Sequence, residues 1–174
     1  DYLSWMQNIS NMKYVALRYF NAAGYTKKEN LIIYKEKNPQ NLLPIIMEVA
    51  SGLRPKLQVF GDNYDTPDGT CIRDYINVLD LADAHIQALE YLETGDSCSI
   101  NLSTNIGHSV LDVINVVQNI VRTKIEYEIT DRRPGDPAIL ISSYKKAKEK
   151  LGWTPEKSSL EEIVSSMWKH YKWK

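Results

Sequence analysis

A chain of 174 residues is about one domain long, and 43% hydrophobic with 25% charged residues is an ordinary globular mix that excludes disorder, collagen and coiled coil. Basic residues number 21 and acidic ones 22, so the net charge of -1 provides no general grip for nucleic acid or an anionic membrane. No apolar run approaches the roughly 18 residues that cross a bilayer, and Asp1–Met6 has neither the basic nor the apolar part of a signal peptide.

In chain order, Tyr14–Phe20 is nearly continuous in apolar and β-favouring residues, which predicts a buried parallel strand. Residues 22–39 are polar and unperiodic and read as a long binding-type loop. A helix is expected over 42–51, with Asn41 as its cap. Ile72–Leu79 reads as one strand, followed by a helix capped by Asp80 with Asp83 at its third position and Leu81, Ala84, Ala88, Leu89 and Leu92 on one face. Ser99–Ser103 is the next strand. Ser109-x-x-Asp112 then opens a helix whose face is Val110, Val113, Ile114, Val117 and Val121. Ile125–Ile129 is a further strand. A short helix over 144–151 stops at Gly152 ahead of Pro155, and Ser159-x-x-Glu162 boxes the start of a last helix. Strands alternating with helices give an α/β fold class.

Four stretches carry candidate chemistry. Tyr19–Gly24 puts small residues and an amide at the end of a strand, where open α/β sheets bind ligands; a plain turn gives the same pattern. Asn41 either caps its helix or offers its amide to a ligand. Gly69–Tyr75 brings a cation, an anion and a phenol together, and an Arg73–Asp74 exchange at a seam is the bland reading. Asp131–Pro137 is a rigid turn presenting two guanidiniums and a carboxylate, a forked donor set suited to phosphate, or else a solvated surface turn. His85, His108 and His170 lie apart on separate helical patterns, and Trp153 and Trp168 are expected in the core. Cys71 and Cys98 form no framework and no metal-ligand spacing, so they are expected as free thiols of a cytoplasmic protein, with no metal.

Taken together, LRYFNAAG, NLLPIIMEVASG, VFGDNYDTPDGTCIRDYINVLDLADAH, INLSTNIGHSVLDVI, DRRPGDPA and KEKLGW resemble the C-terminal half of the UDP-glucose 4-epimerases, a branch of the extended short-chain dehydrogenase/reductase family. RRPGD also occurs in sister sugar-nucleotide enzymes; YDTPDGTCIRDYINVLDLADAH is much more specific. The resemblance implies the last strands and helices of a doubly wound NAD(P)-binding Rossmann domain plus a smaller α/β nucleotide-sugar-binding domain. Residues 1–20 and 72–96 would belong to the first, 21–71 and 97–174 to the second.

The same resemblance implies interconversion of UDP-glucose and UDP-galactose by NAD-dependent oxidation at C4 of the hexose, as part of galactose metabolism. Tyr19 and Phe20 match positions beside the nicotinamide. Asn21 matches a ligand of the sugar diphosphate, Asn41 and Leu42 match nucleotide contacts, and Gln58, Val59 and Phe60 match the strand along the uracil. Arg73 and Arg133 match the cations that hold the diphosphate, Asp136 a carboxylate on the ribose, and Leu140 the wall at the sugar 2-position. The family's Gly-rich loop and its Tyr-x-x-x-Lys catalytic pair are not in this sequence: four residues after Tyr2 stands Met6. The implied chain is therefore a fragment without catalytic residues, inactive alone, partnered by an N-terminal half and a homodimer when complete. A sister epimerase or dehydratase, or a non-catalytic nucleotide-binding fragment, are the alternatives.

Overall fold

A computed structural model describes residues 2–26 and 36–171. The elements are α1 (Tyr2–Ser10), β1 (Val15–Tyr19), β2 (Asn21–Ala23), α2 (Leu42–Ala50), β3 (Leu57–Phe60), β4 (Ile72–Arg73), β5 (Tyr75–Asn77), α3 (Val78–Thr94), β6 (Cys98–Leu102), β7 (His108–Ser109), α4 (Val110–Val121), β8 (Tyr127–Thr130), β9 (Ile139–Leu140), α5 (Lys145–Leu151) and α6 (Leu160–Tyr171). The α/β class holds. Half of the predicted 22–39 loop, residues 27–35, falls outside the described residues, and its first two residues belong to β2 instead.

Parallel pairing dominates. β1 pairs with β6, β2 with β5 and β3 with β8, all in parallel. β4 lies between an antiparallel β7 and a parallel β9. Two strand paths change partner at one place. The chain leaves β6 at Phe20, whose N–H donates to Leu102 O at 3.3 Å, and from Asn21 pairs with β5 instead. The expected single strand over 72–79 is likewise broken: Asp74 separates β4 from β5, and the helix has begun by Val78. The first change of partner falls at the carboxyl end of β1, the end of a parallel strand at which open α/β sheets bind ligands.

The broken strand moves a helix start. Asn77, not Asp80, caps α3, its Oδ1 accepting from Leu79 N at 3.0 Å. Asp80 instead accepts from Lys157 N at 2.9 Å and Ser158 Oγ at 2.5 Å, tying α3 to the segment before α6. The capping box of α4 is as expected: Ser109 Oγ accepts from Asp112 N at 3.0 Å, and Asp112 Oδ2 accepts from Ser109 N at 3.1 Å. α5 stops at Gly152 in the left-handed region (φ 70°).

Two apolar clusters hold these elements. α2, β3, α4 and α6 share one, around Ile46, Met47, Val59, Val113, Val117 and Ile163. β6, α3 and α5 share the other, around Ile76, Ala84, Ile100, Leu102 and Trp153, with Val15 and Leu17 of β1 against it. By packing, therefore, β6 and α5 go with β1 and α3. Each fully buried Ile or Leu contributes about 1.5–3 kcal/mol. Trp153 is core, its indole N–H donating to Asp80 O at 2.9 Å, whereas Trp168 is only half-buried against the first cluster. β1 is less buried than its sequence predicts, with Tyr19 48% exposed, because only one edge of it is paired among the described residues.

Asp68 pins the loop before β4 to the start of α4. Its carboxylate accepts from Thr70 N at 2.9 Å, Thr70 Oγ1 at 2.8 Å and Ser109 Oγ. Gly69 makes this turn possible: it sits at φ 80°, and a Cβ there would overlap the Asp62 carbonyl. Burial alone would raise the Asp68 pKa, but the Ser109 and Thr70 hydrogen bonds outweigh it and hold it below the usual range. A depressed folded pKa gives stability that is present above the unfolded value, near pH 4, and is lost as pH falls through the folded one. Asp68→Ala should thus cost about 2 kcal/mol at pH 7, and the gap to the parent should shrink below pH ~4. Urea denaturation at both pH values checks it; a gap that persists in acid would show that the charge is not the cause.

Candidate functional site

At the double strand switch a cleft of about 400 Å³ opens, lined by residues of β2, α2, β3, β4, β5 and the 131–137 turn. Asn21, Asn41, Leu42, Gln58, Val59, Phe60, Arg73, Arg133 and Asp136 all line it. Tyr19, Phe20 and Leu140 do not. Residues that the candidate readings passed over include Gln40, Cys71, Tyr75 and Val110. Tyr75 had a signal, as the phenol beside Arg73 and Asp74.

Asn21 is fixed by backbone. Its N–H and its side-chain amide both donate to Asp74 O, at 3.0 and 2.7 Å. The Asp74 side chain turns the other way and is fully buried. It accepts from Thr104 N at 2.9 Å, Thr104 Oγ1 at 2.8 Å and Asn105 N at 3.0 Å, and burial pushes its carboxyl pKa up. The expected Arg73–Asp74 exchange is not made: Asp74 is a buried anchor for the 104–106 loop.

Arg73 pairs with Asp136 instead. Its guanidinium donates to the Asp136 carboxylate, to Ile72 O at 2.7 Å and to Pro137 O at 2.8 Å. Arg73 is thereby oriented and the 131–137 turn is drawn onto β4. Arg133 is different in kind. Its guanidinium lies 3.9 Å from the centre of the Phe60 ring and makes no hydrogen bond or ion pair among the described residues. A cation on a ring face, with its donors uncommitted, is an anion grip at low ordering cost. The other guanidinium of the turn, Arg132, stacks 4.0 Å from the Tyr64 ring and donates to Asn63 Oδ1 at 2.5 Å.

Strand alternation puts Leu57 and Val59 into the core and leaves Gln58 exposed and Phe60 half-buried. Asn41 sits at the cap position of α2, yet its side chain makes no capping bond. Its amide lines the cleft and makes no hydrogen bond among the described residues. Outside the cleft, the Tyr19 hydroxyl bonds to His85 Nε2 at 2.7 Å, and His85 Nδ1 to Leu81 O at 2.7 Å. His85 is on α3 and His170 on α6, but His108 lies in β7, opposite Arg73. Cys71 lines the cleft, half-buried, and burial pushes its thiol pKa up; Cys98 is in β6, in the other cluster, and both are free. Among the described residues no group of His, Cys, Asp and Glu has metal-holding geometry, and no helix is long and apolar enough to cross a membrane.

A family model described as GDP-mannose 4,6 dehydratase matches residues 2–167. The UDP-glucose 4-epimerase of Halalkalibacterium halodurans is 46% identical over 170 residues, covering 97% of this chain and 50% of the relative. The structure of UDP-glucose 4-epimerase from Stenotrophomonas maltophila, with bound NAD and formylated UDP-arabinopyranose, superposes at a TM-score of 0.91 with 35% identity, covering 98% of this chain and 51% of that one. The enzyme from Bifidobacterium longum, in complex with NAD+ and UDP, does so at 0.88 with 36% identity, covering 97% and 50%. The chain spans about half the length of the curated relatives it matches.

Proposed function

The chain belongs to the GDP-mannose 4,6 dehydratase family, and we propose that within it the chain is the UDP-sugar-holding half of a UDP-glucose 4-epimerase that interconverts UDP-glucose and UDP-galactose. The observation that carries this is the cleft, where an uncommitted guanidinium, an oriented one, a carboxylate and two amides line one space. A nucleoside diphosphate asks for that set. Arg133 and Arg73 take the diphosphate with forked donors. Asp136 accepts from the ribose hydroxyls, Asn21 donates to the phosphate next to the sugar, and Asn41 and Leu42 contact the nucleotide. Gln58, Val59 and Phe60 lie along the uracil.

Epimerisation at C4 needs a sugar that can turn while its carrier stays fixed. Binding energy from the nucleotide, remote from the reacting carbon, meets that need without holding the hexose. NAD would take the C4 hydride and return it to the other face. This chain's share of that group fits the exposed Tyr19 ring and Phe20 at the carboxyl end of β1, with Tyr19 fixed by His85. The Gly-rich loop and the Tyr-x-x-x-Lys pair belong, in this reading, to the other half of the enzyme. The division into 1–20 and 72–96 against 21–71 and 97–174 belongs to the same reading, with β6 and α5 packed on the first unit. The two free thiols support a reducing, cytoplasmic setting.

Calorimetry on the 174-residue chain tests the proposal. UDP is expected to bind at least about tenfold more tightly than uridine or GDP. Equal affinity for GDP would sink the uracil assignment, and no UDP binding would sink the whole reading.

A further inference from the structure

Strand alternation decides which way Tyr19 points. Val15, Leu17 and Tyr19 are two apart along β1 and share a face, and Val15 and Leu17 pack on the cluster to which α3 contributes. Tyr19 ends that row, outside the cleft lining, and its ring lies against His85 of α3 with the ring centres 5.6 Å apart. Two hydrogen bonds fix the imidazole: Nδ1 meets Leu81 O at 2.7 Å, and Nε2 meets the Tyr19 hydroxyl at 2.7 Å. A carbonyl oxygen can only accept, so Nδ1 carries the ring proton, and in the neutral imidazole Nε2 is then bare. Nε2 therefore accepts the hydroxyl proton of Tyr19. The phenol oxygen is left with only lone pairs to show to whatever meets it.

We propose that His85 is a positioning residue for the Tyr19 hydroxyl: it draws the phenol proton inward, so that the oxygen at the end of β1 accepts from a ligand N–H, the chemistry of a carboxamide. The inference deepens the reading that sets Tyr19 beside the nicotinamide, and rests on it. A free phenol both donates and accepts, and turns to suit either kind of partner. With its proton committed to Nε2, Tyr19 favours an amide donor and meets an anion with lone pairs alone. The end of β1 thus differs in kind from the cleft, whose guanidiniums suit anions. The anchor for this choice lies one helical turn back, in the Leu81 carbonyl that holds the Nδ1 proton. Leu81 itself is buried in the same cluster as Val15 and Leu17, so the imidazole hangs from a packed part of α3 although Tyr19 is 48% exposed.

Nitrogen-15 resonances of the imidazole read the tautomer on the 174-residue chain, with the spectrum of His85→Gln assigning the signal. A protonated Nδ1 and a bare Nε2 are expected, with Nε2 shifted by Tyr19→Phe; a protonated Nε2 overturns the inference. Titration with nicotinamide, followed at the Tyr19 ring, then reads the ligand class. His85→Phe should weaken nicotinamide about fivefold. His85→Gln, whose side-chain oxygen can also accept the phenol proton, should stay within about twofold of the parent. In 3-acetylpyridine a methyl replaces the amide NH2, so it should bind the parent more weakly than nicotinamide does and bind all three chains alike. Nicotinamide affinity equal across the three, or a parent that does not bind it, overturns the inference. UDP calorimetry on the same chain separates the two failures: UDP bound without nicotinamide ends this inference alone, and neither bound ends the underlying reading with it. Should His85→Phe not fold, the parent decides by its two probes, and equal affinity for nicotinamide and 3-acetylpyridine overturns the role.

Discussion

Arg133→Ala is expected to weaken UDP binding about thirtyfold while barely moving the melting temperature. Losing a charged hydrogen-bond partner of a diphosphate costs about 2 kcal/mol, which is a factor of about thirty. The melting temperature should hold because, among the described residues, the Arg133 guanidinium contacts only the Phe60 ring face, on an exposed turn. Arg73→Ala makes the contrast. Arg73 donates to Ile72 O, Pro137 O and the Asp136 carboxylate, so its loss frees the 131–137 turn and leaves Asp136 without its cation. That variant should lose both affinity and stability. Calorimetry with UDP and a thermal melt on each variant separate the two roles. Less than about a threefold change in UDP affinity for Arg133→Ala would count against it as a diphosphate ligand.

The difference between the two arginines was not legible in the sequence, where both looked like forked donors on short polar stretches. Only pairing distinguishes them, and pairing is long-range: Asp136 lies 63 residues from Arg73. What the sequence did carry was local. The Ser109–Asp112 box, the Gly152 stop and the apolar face of α4 follow from contacts within a few residues, and they stand where they were expected. Ile72–Leu79 failed for the opposite reason. Its β-favouring run conceals Asp74, whose carboxylate is claimed by Thr104 and Asn105 from thirty positions away, and that claim divides the strand. Once the strand ends early, Asn77 becomes the nearest residue able to cap, so α3 starts a turn sooner than Asp80 suggested.

The same break builds the cleft. β4 faces β7 and β9, β5 faces β2, and the gap between those pairings is where Asn21, Arg73 and Tyr75 converge. The oddness of the cation, anion and phenol in Gly69–Tyr75 is thus accounted for by three different jobs. Arg73 is tied to the 131–137 turn, Asp74 anchors the 104–106 loop, and Tyr75 is left facing the cleft.

Leu140→Ser is expected to relax sugar selectivity rather than nucleotide affinity. Leu140 lies outside the cleft lining and is 45% exposed, but β9 runs parallel to β4 with Leu140 in register with Arg73, and Asp74 N donates to Leu140 O at 3.3 Å. If Arg73 holds the diphosphate, we expect the hexose to lie on the Leu140 side of it. An N-acetyl group at the 2-position adds several heavy atoms, and forcing them against a branched side chain costs about 1–3 kcal/mol. An epimerase that carries this chain as its nucleotide-sugar half should therefore prefer UDP-glucose to UDP-N-acetylglucosamine by roughly ten- to a hundredfold in kcat/KM. Leu140→Ser removes most of that bulk and should close much of the gap, with affinity for UDP itself unchanged. Comparable kcat/KM for the two sugars before any substitution would show that Leu140 is no barrier, and a fall in UDP affinity would show that it acts on the nucleotide instead.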